Sequence, residues 1–468
     1  MTEHTMTIDG EAVGSDDRFG VINPATGEVF DDAPSCSRAQ LDAAMDAAAK
    51  AFPEWRRHES TRRACLHRAA DLVDGARDQL ALTLTTEQGK PLRAATEEVG
   101  NVAKTFRYFA DLATSTETIQ DDGQALVTMV RRPLGVVAAI TPWNFPLVLA
   151  AYKIGAALLA GNTMVLKPSP YTPLATLRMA EELRDAFPPG VLNTVSGGDE
   201  LGAWMSSHPV PAKITFTGSV ATGKKVAAAA APGLKRTTLE LGGNDPAIVL
   251  DDADVASIAD GLFWGAFYNS GQICAAAKRI YVPESLYGDV VDALADRART
   301  VRVGDGAAPA TELGPLQNRM QFDRVSELVA DAIAQGARVA AGGKRREGPG
   351  YFFEPTVLAD INEGTRIVDE EQFGPAVPVL AYRDLNEAIE RANATHFGLG
   401  ASVWSPDEER AASIADSLDC GTVWLNTHAG FGPHLPFAGL KWSGVGVENG
   451  LPGYHSFTEV QVVYRNRG

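Results

Sequence analysis

The sequence predicts an α/β protein with two domains, each built on a parallel β-sheet, and a small β-structured arm. Between about residues 135 and 250, apolar runs such as GVVAAI and TMVLKP alternate with Ala-rich helical stretches. A second region of the same kind begins near residue 251. Two alternating segments, ALVTMVRRPLG and SFTEVQVVYRN, fit neither region and resemble exposed strands that need a partner.

The pattern of the first region predicts a ligand-binding site. Alternation of strands and helices produces parallel sheets covered by helices on both faces, and these sheets commonly bind dinucleotides at the carboxyl ends of their strands. The run KITFTG, followed by GKKVAAAAA, repeats this unit once more. No long linker separates the two regions, so we expect the two domains to be packed against each other.

Composition and charge limit the classes of partner. The chain has 468 residues, of which 45% are hydrophobic and 22% charged, as in an ordinary globular protein. Its 42 basic and 59 acidic residues give a formal net charge of -17. This charge repels phosphate backbones and anionic membranes, so we expect neither a nucleic acid nor a membrane as partner.

The cysteines indicate a reducing environment. Four of them lie far apart, without a C-x-x-C pair or a histidine at zinc-binding spacing: Cys36, Cys65, Cys274 and Cys420. We therefore expect no metal site and no disulfide scaffold. The polar, acidic start of the chain lacks the pattern of a signal peptide, which favours a cytoplasmic location.

One uncharged segment, residues 134–152, approaches the length of a membrane-spanning helix. Pro142, Asn144 and Pro146 interrupt it. Because proline breaks a helix interior, we interpret this segment as a strand, a loop and a buried helix.

Three separate segments contain side chains suited to acyl chemistry. Cys274 follows a Gly-Gln pair and precedes an apolar run, although a lone cysteine is by itself more typical of a packed core. Glu240 stands beside paired glycines at a strand end, and a thiol nucleophile needs such a general base for itself and for the hydrolytic water. Asn144 lies in a Pro-bounded loop, from which its amide and the backbone N–H of Cys274 would form an oxyanion hole.

Together these segments resemble the aldehyde dehydrogenase superfamily, in its hydrolytic, NAD(P)-dependent branch. The resemblance covers nearly the whole chain and includes, in the family's order, TPWNFP, LKPSPYTP, FTGSVATG, LELGGNDP, GQICAAAKR, EEQFGPAVPV, GTVWLN and PFAGLKWSG. It implies oxidation of a small-molecule aldehyde to a carboxylic acid through a thiohemiacetal and a thioester on the cysteine. Cys274 would be the nucleophile, Glu240 the general base and Asn144 the oxyanion-hole donor.

The resemblance also implies a domain organisation. A dinucleotide-binding domain would comprise residues 1–122 and 139–240, and a catalytic domain residues 241–430. An oligomerisation arm would comprise residues 123–138 and 455–468, and we expect the two alternating segments in it to meet outside both main domains and complete a sheet across a subunit boundary. In the family this arm joins subunits, so the resemblance implies a homodimer or a homotetramer.

Cofactor contacts follow from the same resemblance. They are assigned to Trp143, Lys167, Gly218, Ser219, Glu371 and Phe373. Gly218 and Ser219 end a strand just before a helix, whose amino terminus favours phosphate. The glycine spacing departs from the G-x-G-x-x-G fingerprint of the usual dinucleotide fold.

One departure from the family pattern concerns the choice of cofactor. Strictly NAD-preferring members usually have a glutamate three residues after the lysine, where its carboxylate binds the ribose 2′-hydroxyl and repels a 2′-phosphate. This chain has Pro170 there, so the sequence leaves NAD or NADP open.

Family placement also suggests the substrate pocket, which would be lined by Phe145, Leu149, Tyr152, Ile273 and Phe431. Because no arginine occurs in this set, a dicarboxylic semialdehyde is disfavoured.

Two alternatives to hydrolytic oxidation remain at this point. A coenzyme A-acylating aldehyde dehydrogenase uses the same cysteine but generally lacks the glutamate found here as Glu240. A catalytically silent binding protein on the same fold would be expected to have lost chemical positions, and here all of them are intact.

Overall fold

The computed structural model of the protein describes residues 4–468. Residues 1–3, with which the predicted first domain and the polar, acidic start of the chain begin, lie outside the described residues. The strands are β1 (Met6–Ile8), β2 (Glu11–Val13), β3 (Arg18–Asn23), β4 (Glu28–Pro34), β5 (Glu117–Asp121), β6 (Ala125–Pro133), β7 (Val136–Ile140), β8 (Thr163–Lys167), β9 (Leu192–Thr194), β10 (Lys213–Thr217), β11 (Arg236–Glu240), β12 (Asp245–Val249), β13 (Ala277–Pro283), β14 (Arg338–Ala341), β15 (Thr356–Ala359), β16 (Ala376–Tyr382), β17 (Gly400–Trp404), β18 (Thr422–Leu425), β19 (Gly444–Val445) and β20 (Thr458–Asn466).

The α-helices cover both main sheets. They are α1 (Arg38–Trp55), α2 (Glu59–Gly75), α3 (Arg77–Gln88), α4 (Leu92–Asp111), α5 (Pro146–Leu159), α6 (Leu174–Glu182), α7 (Asp199–Ser207), α8 (Val220–Ala230), α9 (Val255–Phe267), α10 (Tyr287–Thr300), α11 (Arg319–Ala334), α12 (Arg366–Asp369), α13 (Leu385–Asn393), α14 (Glu408–Ala415) and α15 (Gly450–His455).

The first large sheet has eight strands in the order β19-β11-β10-β7-β8-β9-β1-β2. Its five central strands, from β11 to β9, are parallel. Strands β7, β8 and β10 are buried throughout, as expected when helices cover both faces. Sequence patterning missed the antiparallel edges, which come from the short strands β1, β2 and β19.

The second large sheet has seven strands in the order β14-β15-β16-β13-β12-β17-β18. All pairs from β15 to β18 are parallel, and β14 adds an antiparallel edge. The connection from β11 to β12 is only residues 241–244. The carboxyl edge of the first sheet therefore faces the amino edge of the second, and a cleft lies between them.

The two alternating segments pair with each other, as predicted. Strand β20 runs antiparallel to β6, with Val460 opposite Arg131 and Tyr464 opposite Val127. Strand β5 pairs with the other edge of β6, although it precedes the predicted start of the arm at residue 123. In the resulting three-stranded sheet, β20 is an edge strand.

The uncharged segment 134–152 forms β7, a loop and the first half of α5. Pro146 occupies the first turn of α5, where a missing backbone N–H costs nothing. Among the helices of residues 4–468, none is long and apolar enough to cross a membrane.

Candidate active site

Asn144 is fixed from two sides in the loop after β7. Buried Lys90 donates a hydrogen bond from Nζ to the backbone carbonyl of Asn144 over 2.9 Å. The Nδ2 of Asn144 donates to the backbone carbonyl of Gln272 over 3.0 Å. Lys90 also forms a buried ion pair with Glu98, whose Oε1 accepts a hydrogen bond from the amide of Leu147 in the first turn of α5. Sequence reasoning did not identify this buried pair.

Cys274 follows a stretch of left-handed backbone. Asn269, Ser270 and Gly271 have φ angles of 52°, 55° and 70°. A β-carbon at Gly271 would come within 2.2 Å of the Gly374 carbonyl oxygen, so only glycine fits. Strained residues of this kind concentrate at functional sites. The segment holds Cys274 at the amino edge of the second sheet, opposite Asn144.

Cys274 as a residue is half-buried and lines the cleft, whereas its thiol group is desolvated by the surrounding protein. Burial raises its pKa to about 12, and the positive charge of Lys278 acts in the opposite direction. Lys278 donates from Nζ to the carbonyls of Cys274 and Gly243. A nearby proton acceptor is therefore needed to generate the reactive thiolate.

Glu240 is the last residue of β11, and its carboxyl group is buried. Neither of its oxygens has a hydrogen-bond partner among residues 4–468. Burial raises the pKa of Glu240 well above its ordinary value; the negative charge of Glu448 raises it further, and Lys153 opposes both. A carboxyl group with a raised pKa is suited to accept a proton during catalysis.

The charges that act on Glu240 form a buried network that sequence reasoning missed. Lys153 pairs with Glu448 and donates to the Thr217 hydroxyl over 2.8 Å. Thr215 donates from its hydroxyl to Glu448 over 3.2 Å. The only signal in the sequence is that Lys153 is the single charged residue of α5.

Cavity I, of about 1400 Å³, lies along the carboxyl edge of the first sheet. Its lining includes five of the six predicted cofactor contacts, namely Trp143, Gly218, Ser219, Glu371 and Phe373. Lys167 ends β8 but is not part of this lining. Its Nζ is buried and donates to the Pro168 carbonyl over 3.2 Å. Burial lowers the pKa of Lys167 to about 8.

Glu371 is a fixed part of the lining of cavity I. Its carboxylate pairs with Lys278 at 2.8 Å and accepts a hydrogen bond from the Gly243 amide over 3.2 Å. A β-carbon at Gly242 would lie 2.0 Å from Glu371 Oε2, so a side chain there would displace the carboxylate from this position. Phe373 has a φ of 48°, and its ring contacts Trp143 edge to face at 5.3 Å.

Ser219 also lines cavity I and is the N-cap residue of α8. Its hydroxyl caps the helix by accepting a hydrogen bond from the Thr222 amide over 3.2 Å. Gly218 has no room for a side chain, because a β-carbon would lie 2.5 Å from the Phe216 ring. The first two residues of α8, Val220 and Ala221, line cavity I. Backbone amides at the start of a helix, together with the helix dipole, stabilise an anion.

Cavity II, of about 760 Å³, approaches the thiol from the other side. All five predicted pocket residues line it: Phe145, Leu149, Tyr152, Ile273 and Phe431. Sequence reasoning missed further lining residues, among them Trp264, Tyr268, His428 and Asn449. Three residues line both cavities and mark their junction, namely Asn144, Thr217 and Cys274. Among residues 4–468, no cluster of three His, Cys, Asp or Glu side chains is suited to hold a metal ion.

A cysteine between a groove at the carboxyl edge of a parallel sheet and a largely apolar cavity is typical of an oxidoreductase that works through a thiol. Comparisons with known proteins agree. A sequence model of the aldehyde dehydrogenase family matches residues 12–463. The chain is 41% identical over 456 residues to retinaldehyde dehydrogenase 3 of Rattus norvegicus, covering 95% of this chain and 89% of that protein. It is 40% identical over 458 residues to an aldehyde dehydrogenase of Enchytraeus buchholzi, covering 95% and 92%.

Solved structures show the same relationship. An NAD+ complex of aldehyde dehydrogenase from Bacillus cereus superposes with a TM-score of 0.97 at 39% identity, covering 99% of this chain and 96% of that one. Betaine aldehyde dehydrogenase from Staphylococcus aureus in complex with NAD+ gives a TM-score of 0.96 at 35% identity, covering 99% and 95%. The chain belongs to the aldehyde dehydrogenase family, and the predicted fold class and enzyme class are confirmed.

Proposed function

We propose that this protein oxidises an aldehyde to a carboxylic acid with a nicotinamide dinucleotide as the electron acceptor, by covalent chemistry on Cys274. The observation that carries the proposal is the junction itself. Cys274 and Asn144 line both cavities, so the thiol is open to a cofactor from one side and to an aldehyde from the other.

Cavity I fits a dinucleotide in size and chemistry. Its volume of about 1400 Å³ exceeds that of a typical small-ligand pocket. The start of α8 at Ser219 suits the pyrophosphate, and the anchored Glu371 carboxylate suits ribose hydroxyls. The NAD+ complexes of the Bacillus cereus and Staphylococcus aureus enzymes support this use. When bound, the cofactor accepts a hydride from the substrate carbon.

In the first half of the reaction, the thiolate of Cys274 adds to the aldehyde carbon and forms a thiohemiacetal. The negative charge then moves to the aldehyde oxygen. The Nδ2 of Asn144 and the backbone N–H of Cys274 are the donors that would hold this oxygen. Loss of the hydride leaves a thioester on Cys274.

In the second half, Glu240 acts as general base. It takes a proton from water, whose oxygen attacks the thioester carbon, and the carbon–sulfur bond then breaks to release the acid. Its buried carboxyl group lines cavity II beside Cys274. This position supports water, rather than a second thiol, as the acyl acceptor.

The substrate is proposed to be an aldehyde with an apolar or aromatic body. The wall of cavity II is largely apolar and includes the side chains of Phe145, Leu149, Tyr152, Ile273 and Phe431. No arginine lies among the described residues that line it, so a second carboxylate would lack a bidentate partner.

The predicted division into a dinucleotide-binding domain, a catalytic domain and an arm is part of the same proposal, supported by the eight-stranded, the seven-stranded and the three-stranded sheet. The arm would join subunits into a homodimer or homotetramer, because β20 is an edge strand whose apolar side chains are exposed. A cytoplasmic location is supported by the four cysteines, which are all free.

The test is an aldehyde panel assayed with NAD+ and with NADP+. Hexanal, benzaldehyde, retinal, betaine aldehyde and succinic semialdehyde cover aliphatic, aromatic, cationic and anionic substrates. We expect reduced cofactor and carboxylic acid in equal amounts with the uncharged aldehydes. Tight nucleotide binding without turnover of any aldehyde would support the silent binding protein instead.

A further inference from the structure

Asn449 adopts a backbone conformation that side chains rarely tolerate. Its φ and ψ angles are 62° and 168°, a region that is essentially restricted to glycine. A glycine at this position would relieve the strain, and the chain does place glycine at the next position, Gly450. An asparagine kept in a glycine conformation suggests that its side chain is needed.

Neighbouring backbone contacts enforce this conformation. Glu448 and Phe437 exchange two backbone hydrogen bonds of 2.8 Å just before it. The amide of Gly450 donates to the Pro433 carbonyl over 2.8 Å just after it. Asn449 is therefore held between two fixed points, and its side chain has a defined direction.

The side chain lies in the same cavity as the proposed nucleophile and base. Asn449 is 5% exposed and lines cavity II together with Cys274 and Glu240. Its Oδ1 is buried and has no hydrogen-bond partner among residues 4–468. The same holds for both carboxylate oxygens of Glu240 in that part of the chain. Buried polar atoms without partners are rare and call for an explanation.

The chemistry of these atoms selects their partner. The atoms left without a partner among residues 4–468 are here three oxygens, Asn449 Oδ1 and the two carboxylate oxygens of Glu240, and when Glu240 is ionised all three are hydrogen-bond acceptors that cannot satisfy one another. An aldehyde group offers only another acceptor. A water molecule offers two donors and is also the reactant that the thioester requires.

We propose that Asn449 is a positioning residue for the hydrolytic water, an inference that rests on the proposed function. One hydrogen of the water is held by Asn449 Oδ1, and the other points to Glu240. The water oxygen bonds to the thioester carbon while its proton passes to Glu240. The tetrahedral adduct then collapses, the carbon–sulfur bond breaks, and the electron pair returns to the Cys274 thiolate. The hydrogen on Asn449 remains on the oxygen of the released acid.

The test variant is Asn449→Gly, which removes the amide and relaxes the backbone. The matched control is Leu234→Gly, because Leu234 also has a positive φ, of 49°, and is exposed outside both cavities. Both variants should keep or raise the thermal midpoint of the wild type. The reaction is followed with NAD+ and the best aldehyde of the panel, by stopped-flow reading of reduced cofactor and by mass spectrometry of the acid-quenched enzyme.

For Asn449→Gly we expect an unchanged burst of reduced cofactor and a steady-state rate about tenfold lower, as for the loss of one well-placed hydrogen bond. Acyl-enzyme on Cys274 should accumulate, whereas Leu234→Gly should behave as the wild type. An unchanged steady state, or a parallel loss of burst and steady state without acyl-enzyme, would overturn the role of Asn449. A wild type without any aldehyde-dependent cofactor reduction would overturn the proposed function as well.

Discussion

The side-chain amide of Asn144 donates a hydrogen bond to the backbone carbonyl of Gln272 over 3.0 Å. This bond joins the carboxyl edge of the first sheet to the segment that carries Cys274 at the amino edge of the second. The amide has a second hydrogen, and Asn144 lines both cavities at the junction. The contact that positions Asn144 thus leaves one donor for an oxygen on the substrate.

Replacing Asn144 with alanine should therefore lower kcat by about a hundredfold to a thousandfold, the usual effect of losing one oxyanion-hole donor. Nucleotide affinity should change little. Steady-state kinetics and a separate titration with NAD+ measure the two quantities. If kcat stayed within a factor of about two, the oxyanion would have to be held elsewhere.

Cys274→Ala should lower dehydrogenase turnover by more than about a thousandfold, because none of the other three cysteines, all within residues 4–468, lines cavity I or cavity II. Binding of NAD+ should persist, since the thiol is only one of many groups lining cavity I. Turnover and calorimetric titration of the same preparation give both readouts. A matched Cys420→Ala variant should remain active, because that cysteine lines neither cavity. Retained turnover in Cys274→Ala would refute the nucleophile.

The sequence predicted the parallel cores of both sheets because apolar runs and helical stretches alternate locally. It also predicted the pairing of β6 with β20, since both alternate and neither fits another sheet. Asn144, Glu240 and Cys274 were proposed from the sequence because each lies in a motif close to a strand end and because these motifs together resemble a known family.

Other parts of the site have little local signal, and for the buried charge network it is limited to Lys153 being the single charged residue of α5. Lys153 and Glu448 are far apart in sequence, and their ion pair exists only because α5 and the segment before α15 meet in the interior. Asn449 was missed for the same reason, since its strain comes from contacts with Phe437 and Pro433 on its two sides. Buried charge pairs depend on tertiary packing, which periodicity cannot describe.

Glu240→Gln should separate the two halves of the reaction. A burst of reduced cofactor should remain, followed by a steady state lowered by about a hundredfold or more, because water loses its general base. The pKa of Glu240 is raised by burial, so this group is protonated and inactive as a base at lower pH. The steady-state rate of the wild type should therefore rise with pH through that pKa.

The variant should lack this rise, and stopped-flow traces across a pH series measure both effects. Equal loss of burst and steady state at every pH would assign Glu240 mainly to activation of the thiol.

Pro170→Glu should shift cofactor preference toward NAD+. Pro170 offers neither a hydrogen bond to the ribose 2′-hydroxyl nor a charge that repels a 2′-phosphate. We expect the wild type to turn over with both cofactors and the variant to lose kcat/KM mainly with NADP+. A wild type that already discriminates by more than about a hundredfold would show that other residues set the choice.

Subunit assembly should depend on β20. This strand is an edge of the three-stranded sheet, and Val460, Val462 and Tyr464 on one of its faces are 52%, 59% and 64% exposed. An apolar edge strand left open to water promotes pairing with another chain. A second copy related by two-fold symmetry would cover it and extend the sheet.

Val462→Glu places a charge in the middle of that face and should convert the oligomer to monomers, because a buried unpaired carboxylate is strongly unfavourable. Val29→Glu is the control, since Val29 is 63% exposed on β4, away from the arm.

Deletion of the chain from Ser456 onward removes the whole of β20. We expect this variant to form monomers or aggregates with little activity. Light scattering compares each mass with the 49.7 kDa of one chain. Because β6 leads directly into β7 and the Asn144 loop, loss of the partner should also lower kcat. A wild type that is a stable, active monomer at micromolar concentration would refute the assembly and remove the reason for the exposed valines.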